Sequence, residues 1–287
     1  MDTGAAWVLN LDADLELGAL GRPYAPTASV LAAMRGWRAV LAERLLGPWD
    51  VLLDESSPPG SATGRVGRAF CMTPRARALL ERAGARIGPH PSVEVLARVN
   101  GRAFSAELGQ TLPEATFTRD EAEARALLGR PPPPGFRAWR VKRAFGMAAR
   151  GQRVMAPPLS EDDARFVRAS LDLGVQIEPQ AEIVTEHALH GKLEPDGTST
   201  LGHAVVQRTD TRGAWISSER VTGFVFAEAL EAEARRVGLA LHAAGYFGPF
   251  GLDAFTYRTS SGELAFNPRS EINARYSMGF VVGFGGA

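Results

Sequence analysis

The fold is decided by Gly251-Leu-Asp253 and, after a turn, by Asn267-Pro-Arg-Ser-Glu271-Ile-Asn273-Ala-Arg275. Apolar runs on both sides of the turn at residues 259–262 predict the two strands of a hairpin. Alternate side chains of a strand point to the same face. We therefore expect Glu271, Asn273 and Arg275 on one face, with the apolar residues between them packed on the other.

An oxygen-rich site is expected on this face, because the neighbouring strand brings Asp253 alongside. Two carboxylates and an amide oxygen are ligands that Mg²⁺ prefers, with the remaining positions filled by water or phosphate oxygens. We predict a metal site formed by Asp253, Glu271 and Asn273, which would hold Mg²⁺ or alternatively Mn²⁺. Arg275 is suited to holding an anionic substrate. On charge alone, an exposed strand face whose side chains pair with one another is the alternative.

A second informative stretch, Val141-Lys142-Arg143-Ala-Phe145-Gly146, continues to Gly151. A lysine at the end of a strand can reach the phosphates of ATP as a point charge. The small residues that follow, including the alanines at 148–149, would let backbone N–H groups approach the phosphate oxygens. We predict that Lys142 binds phosphate and that the segment from Phe145 through Gly146 to Gly151 forms a mobile loop over it. A basic strand edge followed by a turn is the alternative.

A third stretch, Val175-Gln-Ile-Glu178-Pro, ends a predicted strand, and the proline keeps the backbone of Glu178 extended. A chain that crosses between subdomains at such a point can offer backbone groups to an adenine edge, and the Glu178 carboxylate can accept a ribose hydroxyl. His187 and His190 follow, three residues apart. That spacing shares a face on a helix, but this run predicts a strand, on which the two side chains point to opposite faces. A zinc site is therefore not expected.

These stretches belong to a chain with three predicted parts. Residues 1–96 alternate short apolar strands with helices, which predicts a mostly parallel sheet covered by helices. Residues 97–180 carry the lysine strand, and residues 181–287 carry the metal hairpin. Within the last part we expect strands at 183–193 and 204–216, and a helix whose apolar stripe runs from Ala227 to Leu241.

The bulk composition excludes several classes of protein. The 287 residues include 32 Lys+Arg and 32 Asp+Glu, and this balance gives no general attraction to nucleic acid or to an anionic membrane. The single cysteine, Cys71, cannot form an intramolecular disulfide or a cysteine-based zinc site, and its apolar surroundings predict a core thiol. No apolar run reaches the length of a transmembrane helix, and the N-terminus lacks a signal-peptide pattern, so a cytoplasmic protein is expected.

Taken together and in this order, the three stretches resemble the ATP-grasp superfamily. The family pattern is a strand lysine with a glycine-rich flap, then a hinge that bears a glutamate, then an acidic residue and a Glu-x-Asn-x-Arg strand. The resemblance implies an α/β (α+β) architecture: an N-terminal α/β subdomain at 1–96, and two α+β subdomains, at 97–180 and 181–287, that clasp ATP. The residues that it implies in ATP binding are Lys142, Arg102 (in place of an earlier family lysine), Phe145, Gly146, Gly151, Glu178 and Glu186.

The resemblance also implies an ATP- and Mg²⁺-dependent ligase. Such an enzyme activates a carboxylate as an acyl phosphate for attack by an amine or similar nucleophile, and it releases ADP and phosphate. Arg275 and Lys142 would be the catalytic residues. Two other functions stay open: an ATP-binding sensor or non-catalytic partner subunit, and an ATP-grasp kinase. The expected partners are a small-molecule carboxylate and an amine. A homo-oligomer is compatible with the sequence, and neither nucleic acid nor a membrane is an expected partner.

Overall fold

The N-terminal part of the chain is built around a four-stranded parallel sheet. The computed structural model describes residues 4–147, 150–210 and 214–285. The elements of this first part are β1 (Ala5–Val8), α1 (Ala13–Leu17), α2 (Ala28–Leu45), β2 (Val51–Leu53), β3 (Val66–Ala69), α3 (Pro74–Arg82), β4 (Arg86–Ile87) and α4 (Val93–Asn100). The strand order is β2-β1-β3-β4, with α2 and α3 as crossovers between parallel neighbours. The predicted parallel sheet is therefore confirmed.

Capping side chains fix where three of the helices of this part begin. Thr27, Thr73 and Ser92 precede α2, α3 and α4, and each side-chain oxygen accepts a hydrogen bond from a backbone N–H three residues later. Pro74 occupies the first turn of α3, where its missing N–H would have had no partner within the helix. Local sequence thus determines the boundaries of the helices that surround the sheet.

The middle part is an antiparallel sheet with the strand order β5-β8-β6-β7. Its elements are α5 (Arg102–Glu107), β5 (Thr116–Thr118), α6 (Glu121–Leu128), β6 (Trp139–Met147), β7 (Arg150–Met155), α7 (Glu161–Arg168) and β8 (Val175–Pro179). Trp139 and Val141 are fully buried in a core shared with α6 and α7. Because strand residues alternate, Arg140 and Lys142 lie on the opposite face of the sheet, beside Glu178 of β8.

The C-terminal part is a second, larger antiparallel sheet. Its elements are β9 (Glu182–Leu193), β10 (Ser199–Leu201), β11 (Val205–Thr209), β12 (Trp215–Arg220), α8 (Ala227–Ala243), β13 (Gly248–Arg258), β14 (Leu264–Asn273) and α9 (Phe280–Phe284). The main path is β12-β11-β9-β13-β14, and β10 pairs with β9. The strand predicted at 204–216 is wrong, because β11 ends at Thr209 and β12 begins at Trp215. Residues 211–213 lie outside the described part of the chain.

Helix α8 covers one face of this sheet and leaves the other face free for the site. Its apolar stripe includes Leu230, Val237 and Leu241, which are all fully buried in a core that contains Leu252 and Ile272 of the sheet. This confirms the predicted stripe. Asp253 and Glu271, one residue along from the buried pair, therefore project from the opposite face.

The observed architecture is the mixed α/β fold that the sequence predicts, with one parallel and two antiparallel sheets. The sheets occupy residues 5–87, 116–179 and 182–273; the domain boundaries after 96 and 180 remain a prediction. Cys71 is buried in the main core, as predicted. In the part of the chain that the structure describes, none of the helices combines the length and the apolar character needed to cross a membrane.

Candidate functional site

A cavity of about 620 Å³ is lined by residues from all three parts of the chain. This volume lies within the range of about 300–1,000 Å³ that is usual for small-molecule sites. Strands β6 to β8 form one wall, and β9, β11, β13 and β14 contribute the other. The cavity brings together ten of the residues predicted from sequence: Arg102, Lys142, Gly146, Gly151, Glu178, Glu186, Asp253, Glu271, Asn273 and Arg275.

The three predicted metal ligands meet on one face of the β13–β14 hairpin. Asp253 and Glu271 are directly opposite each other in the strand register, and Asn273 follows two residues later. Opposed residues of an antiparallel pair have Cβ atoms about 4.5–5.5 Å apart. The Asn273 Nδ2 group donates a hydrogen bond of 3.0 Å to Asp253 Oδ2. Gln207, which the sequence did not indicate, donates from Nε2 to Asp253 Oδ1 at 2.8 Å.

The electrostatics of this group fit a divalent cation. Burial, together with the charge of Glu271, raises the pKa of Asp253 to about 6. Arg102 pairs with Glu271 at 2.9 Å, whereas the side-chain oxygens of Asp253 accept only neutral amide donors among the described residues. A second positive charge between the two carboxylates would therefore lower the energy of the site.

The donor set also fits the coordination habits of Mg²⁺. Within the described residues, no group of three or more His, Cys, Asp or Glu side chains is placed to hold a metal ion. A metal here would be held by two carboxylates, Asp253 and Glu271, and by the amide oxygen of Asn273. Mg²⁺ commonly binds one or two carboxylates and completes its shell with water and substrate phosphates.

The raised pKa of Asp253 leads to a prediction about stability. Above pH 6 the carboxylate is ionised in the folded and unfolded states, and folding must bury the charge. Below its ordinary pKa of 3.8 it is protonated in both states, and this cost disappears. In ligand-free protein, Asp253→Asn should therefore raise the melting temperature by about 5 °C at pH 8 and much less at pH 4.5. Differential scanning calorimetry at the two pH values measures the difference.

Asp172→Asn is a suitable control for that measurement, because Asp172 is exposed and pairs with Arg22 at the surface. Its effect should be small at both pH values. If Asp253→Asn lowers the melting temperature at pH 8, burial of the Asp253 charge beside Glu271 does not destabilise the folded protein.

Two cations from the middle part of the chain line the same cavity as the three predicted metal ligands. Lys142 Nζ lies 2.7 Å from Glu178 Oε1, and both side chains are almost completely shielded from solvent. Arg102 donates from Nη1 to the Arg143 carbonyl at 3.1 Å and from Nη2 to Glu271. The cavity therefore holds positive charge opposite the carboxylates, which is the arrangement that a metal-bound polyphosphate requires.

In its described residues, the segment after Lys142 is not the loop that the sequence predicts, whereas its mobility and its place over phosphate stay predictions. Strand β6 continues to Met147, β7 begins at Arg150, and these two residues pair. The segment is a β-hairpin, and the alanines at 148–149 lie outside the described residues. Gly151 has a φ of +82°, and a Cβ at Gly146 would lie 2.7 Å from the Arg150 carbonyl oxygen. Both glycines are thus explained by the geometry of the hairpin.

Phe145 does not line the cavity, in contrast to the prediction. Its ring packs into the main core against Gly18 and Gly101, where an added Cβ would lie 3.1 Å and 3.3 Å from ring atoms. The pairing register of β6 with β7 shifts between Lys142 and Met147, and within this stretch Phe145 packs against the N-terminal part and not beside Lys142, the residue that it was predicted to assist. Its contacts therefore connect the hairpin to the N-terminal part.

Arg275 lies at the cavity, but it does not share the strand with Glu271 and Asn273, because β14 ends at Asn273. Its Nε donates to Asp14 Oδ1 at 3.0 Å, and Nη2 donates to the other oxygen of the same carboxylate. Nη1 donates to the Tyr276 carbonyl at 3.0 Å. These contacts use three of the five N–H donors of a guanidinium. Among the described residues, the other two donors have no hydrogen-bond acceptor.

The opposite end of the cavity is formed where β8 passes into β9. This end is lined by Pro179, Ala181, Ile183 and Phe255. Glu186 of β9 is directly opposite Phe255 of β13 in the strand register. Arg140, another residue that the sequence did not indicate, is held there by neutral amides: Nε donates to Gln180 Oε1 at 2.7 Å and Nη1 to Gln152 Oε1 at 2.6 Å. This end therefore offers apolar walls and a planar guanidinium.

The two histidines lie on β9, as predicted, and on opposite faces of it. His187 stacks on Phe224 with ring centroids 4.0 Å apart, and His190 is enclosed beside Gly251 and Gly279. Burial lowers the pKa of each imidazole to about 4. Both are therefore neutral at physiological pH.

The comparisons with known proteins find similarity in structure only; neither a protein-family model nor a curated protein sequence matches the chain. Many solved structures match. D-alanyl-alanine synthetase A from Vibrio cholerae has a TM-score of 0.53 and 11% identity, over 96% of this chain and 89% of that one. N5-carboxyaminoimidazole synthetase from Staphylococcus aureus, complexed with ADP, has a TM-score of 0.52 and 12% identity, over 96% and 71%.

A third similar structure is carboxyaminoimidazole ribonucleotide synthase from Aspergillus clavatus complexed with ATP. Its TM-score is 0.50, with 16% identity over 96% of this chain and 72% of that one. At these identities the likeness concerns the fold. It extends over 96% of this chain, which includes all three sheets.

Proposed function

We propose that this chain, which has the ATP-grasp fold, is an ATP- and Mg²⁺-dependent ligase that joins a carboxylate to an amine or a similar nucleophile. The observation that carries the proposal is the meeting of Asp253, Glu271 and Asn273 with Lys142 and Arg102 in one cavity. Structures of the same fold complexed with ADP or with ATP support nucleotide binding. The substrates and the assignment of residues to roles are our proposal.

The charges of the cavity suit transfer of the terminal phosphoryl group of ATP. Lys142 and Arg102 would bind phosphate oxygens, releasing in part the contacts that they make with Glu178 and Glu271. Mg²⁺, held by the Asp253 group, would supply positive charge to the β- and γ-phosphates. Preorganised positive charge at the γ-phosphate favours loss of ADP over loss of pyrophosphate.

The strand geometry gives the nucleotide a direction in the cavity. Along β13, Phe255 marks the end of the cavity where β8 passes into β9, Asp253 the predicted metal ligands, and Gly251 the end near Ser277 and Arg275. Two residues of a strand span about 6.6 Å. We place the adenine against Phe255, with the backbone around Ala181 at its edge. Glu186 would lie near the ribose in place of the predicted Glu178, because Glu178 pairs with Lys142.

The acid would then bind at the Arg275 end. The two remaining guanidinium donors of Arg275 would hold the carboxylate. One carboxylate oxygen attacks the γ-phosphorus, the bond to the β–γ bridging oxygen breaks, and ADP leaves. The amine then attacks the acyl carbon, expels phosphate and loses a proton. Exclusion of water by the β6–β7 hairpin would protect the acyl phosphate.

The test is a screen of carboxylates and amines for ATP-dependent turnover, with the nucleotide product identified by chromatography. The expected products are ADP and phosphate, because the positive groups surround the terminal phosphates. AMP and pyrophosphate would defeat the acyl-phosphate mechanism. ATP binding without turnover across a broad panel would favour the sensor function, and phosphate recovered on a stable product would favour a kinase.

A further inference from the structure

The cavity beyond Arg275 has walls of a different character from the charged centre. Six large apolar side chains line it there, and they come from all three parts of the chain: Leu11, Trp37, Phe70, Met147, Trp215 and Met278. The guanidinium of Arg275 stands over the Phe70 ring, 5.1 Å from its centroid. A carboxylate held by Arg275 would therefore have apolar surface beside it.

The position of this apolar end is fixed by contacts between distant elements. Trp37 of α2 donates from Nε1 to the Trp215 carbonyl of β12 at 3.1 Å. Arg150, at the start of β7, donates from Nη1 to Ser29 Oγ at 3.3 Å, near the beginning of α2. Helix α2 thus bridges the hairpin and β12 across this end of the cavity.

Half of the apolar walls are only partly covered by the packing of the core. Leu11, Phe70 and Met147 are buried in the main core, whereas Trp37, Trp215 and Met278 keep part of their surface open. All six still line the cavity. A ligand that covers them would remove apolar surface from water, and this is favourable. A polar ligand would instead lose hydrogen bonds to water without replacement.

We propose that the acid activated at this site has a bulky apolar body, aromatic or branched aliphatic, attached to its carboxylate. The inference rests on the proposed function, because the carboxylate is placed by Arg275 beside the phosphates. The body lies between Trp37, Trp215 and Phe70. Small acids would bind less well because they leave the tryptophans exposed to water. Dicarboxylates would bind less well because they place a second charge beside apolar side chains.

The first test is a binding series measured by isothermal titration calorimetry. The probes are acetate, 4-methylpentanoate and 3-phenylpropanoate, their α-amino counterparts glycine, leucine and phenylalanine, and succinate and aspartate as polar comparators. Each is titrated with and without Mg²⁺ and a nonhydrolysable ATP analogue. Affinity should rise about fourfold for each buried methylene, and at least about 50-fold from the smallest to the largest acid.

The second test compares two tryptophans of the N-terminal part. Trp37→Ala should weaken binding of the bulkiest acid by about tenfold or more and leave the affinity for the ATP analogue within about twofold. Trp49→Ala is the matched control, because Trp49 is 69% exposed and does not line the cavity. Trp37→Phe keeps an aromatic ring in place and should retain most of the affinity, which separates loss of the wall from misfolding of the alanine variant.

Three outcomes decide the inference. A rise of affinity with apolar size that Trp37→Ala reduces and Trp49→Ala does not would support it. Equal or tighter binding of succinate and aspartate, or equal weakening by the two alanine variants, would overturn it. If the ATP analogue fails to bind, the proposed function fails, while the acid series without nucleotide still decides whether the apolar end selects bulky acids.

Discussion

Glu271→Gln is expected to reduce Mg²⁺-dependent turnover by at least about 100-fold, since removing one charged group that stabilises a transition state commonly has this effect. The change keeps the size of the side chain and its place opposite Asp253 in the hairpin. It removes one of the two carboxylates available to the metal, and it leaves Arg102 with a neutral partner. Turnover should be measured against Mg²⁺ concentration, because weaker metal binding shifts the dependence to higher concentrations.

Glu263→Gln provides the matched control for this prediction. Glu263 lies in the exposed turn of the same hairpin, where it accepts a hydrogen bond from Ser261 at 3.0 Å. The same chemical change there should leave turnover unaltered. Melting temperatures of both variants should stay within a few degrees of the wild type. Normal turnover and unchanged Mg²⁺ dependence in Glu271→Gln would remove this residue from the metal site.

Lys142→Ala is expected to raise the dissociation constant for ATP by roughly 10- to 100-fold. A charge-assisted hydrogen bond contributes about 1.5–3 kcal/mol, and this range converts to such a factor. The loss should be greater for ATP than for adenosine, because the lysine contacts only phosphate in the proposed arrangement. Calorimetric titration with both ligands measures the difference directly.

Lys192→Ala is the natural comparison, since the chain contains only two lysines. Lys192 is exposed and pairs with Glu194 at 2.6 Å, outside the cavity. Its removal should change neither stability nor ATP binding. In Lys142→Ala the shielded Glu178 carboxylate loses its partner, so a lower melting temperature is also expected. If ATP binds Lys142→Ala as tightly as it binds the wild type, Lys142 is not a phosphate ligand.

The part of the site that could be predicted from sequence is the part governed by local periodicity. Glu271 and Asn273 are two residues apart in one strand, and the alternation of side chains alone places them on one face. The hairpin pattern then brings Asp253 opposite Glu271. Lys142 follows the same logic, because Trp139 and Val141, at alternate positions before it, identify the buried face of β6.

The residues that could not be predicted depend on long-range contacts. Asp14 and Arg275 are 261 positions apart, and no local pattern links them. Gln207 reaches Asp253 only because β11 pairs with β9 in a register that puts Gln207 opposite Glu186. The residues that follow Phe145 have the composition of a loop. Tertiary packing nevertheless extends β6 through Phe145 to Met147. Small residues therefore indicated a loop where the structure has a strand pair.

The ion pair between Asp14 and Arg275 has a consequence for building chimaeric enzymes. An engineer who wished to alter substrate choice would exchange the first part of the chain, which supplies Trp37 and Phe70, for that of another protein of the same fold. Such a graft would also remove Asp14 and leave the enclosed guanidinium of Arg275 without its counter-charge. A transplanted segment therefore needs an acidic side chain at the position equivalent to 14, and libraries of such hybrids should hold that position constant.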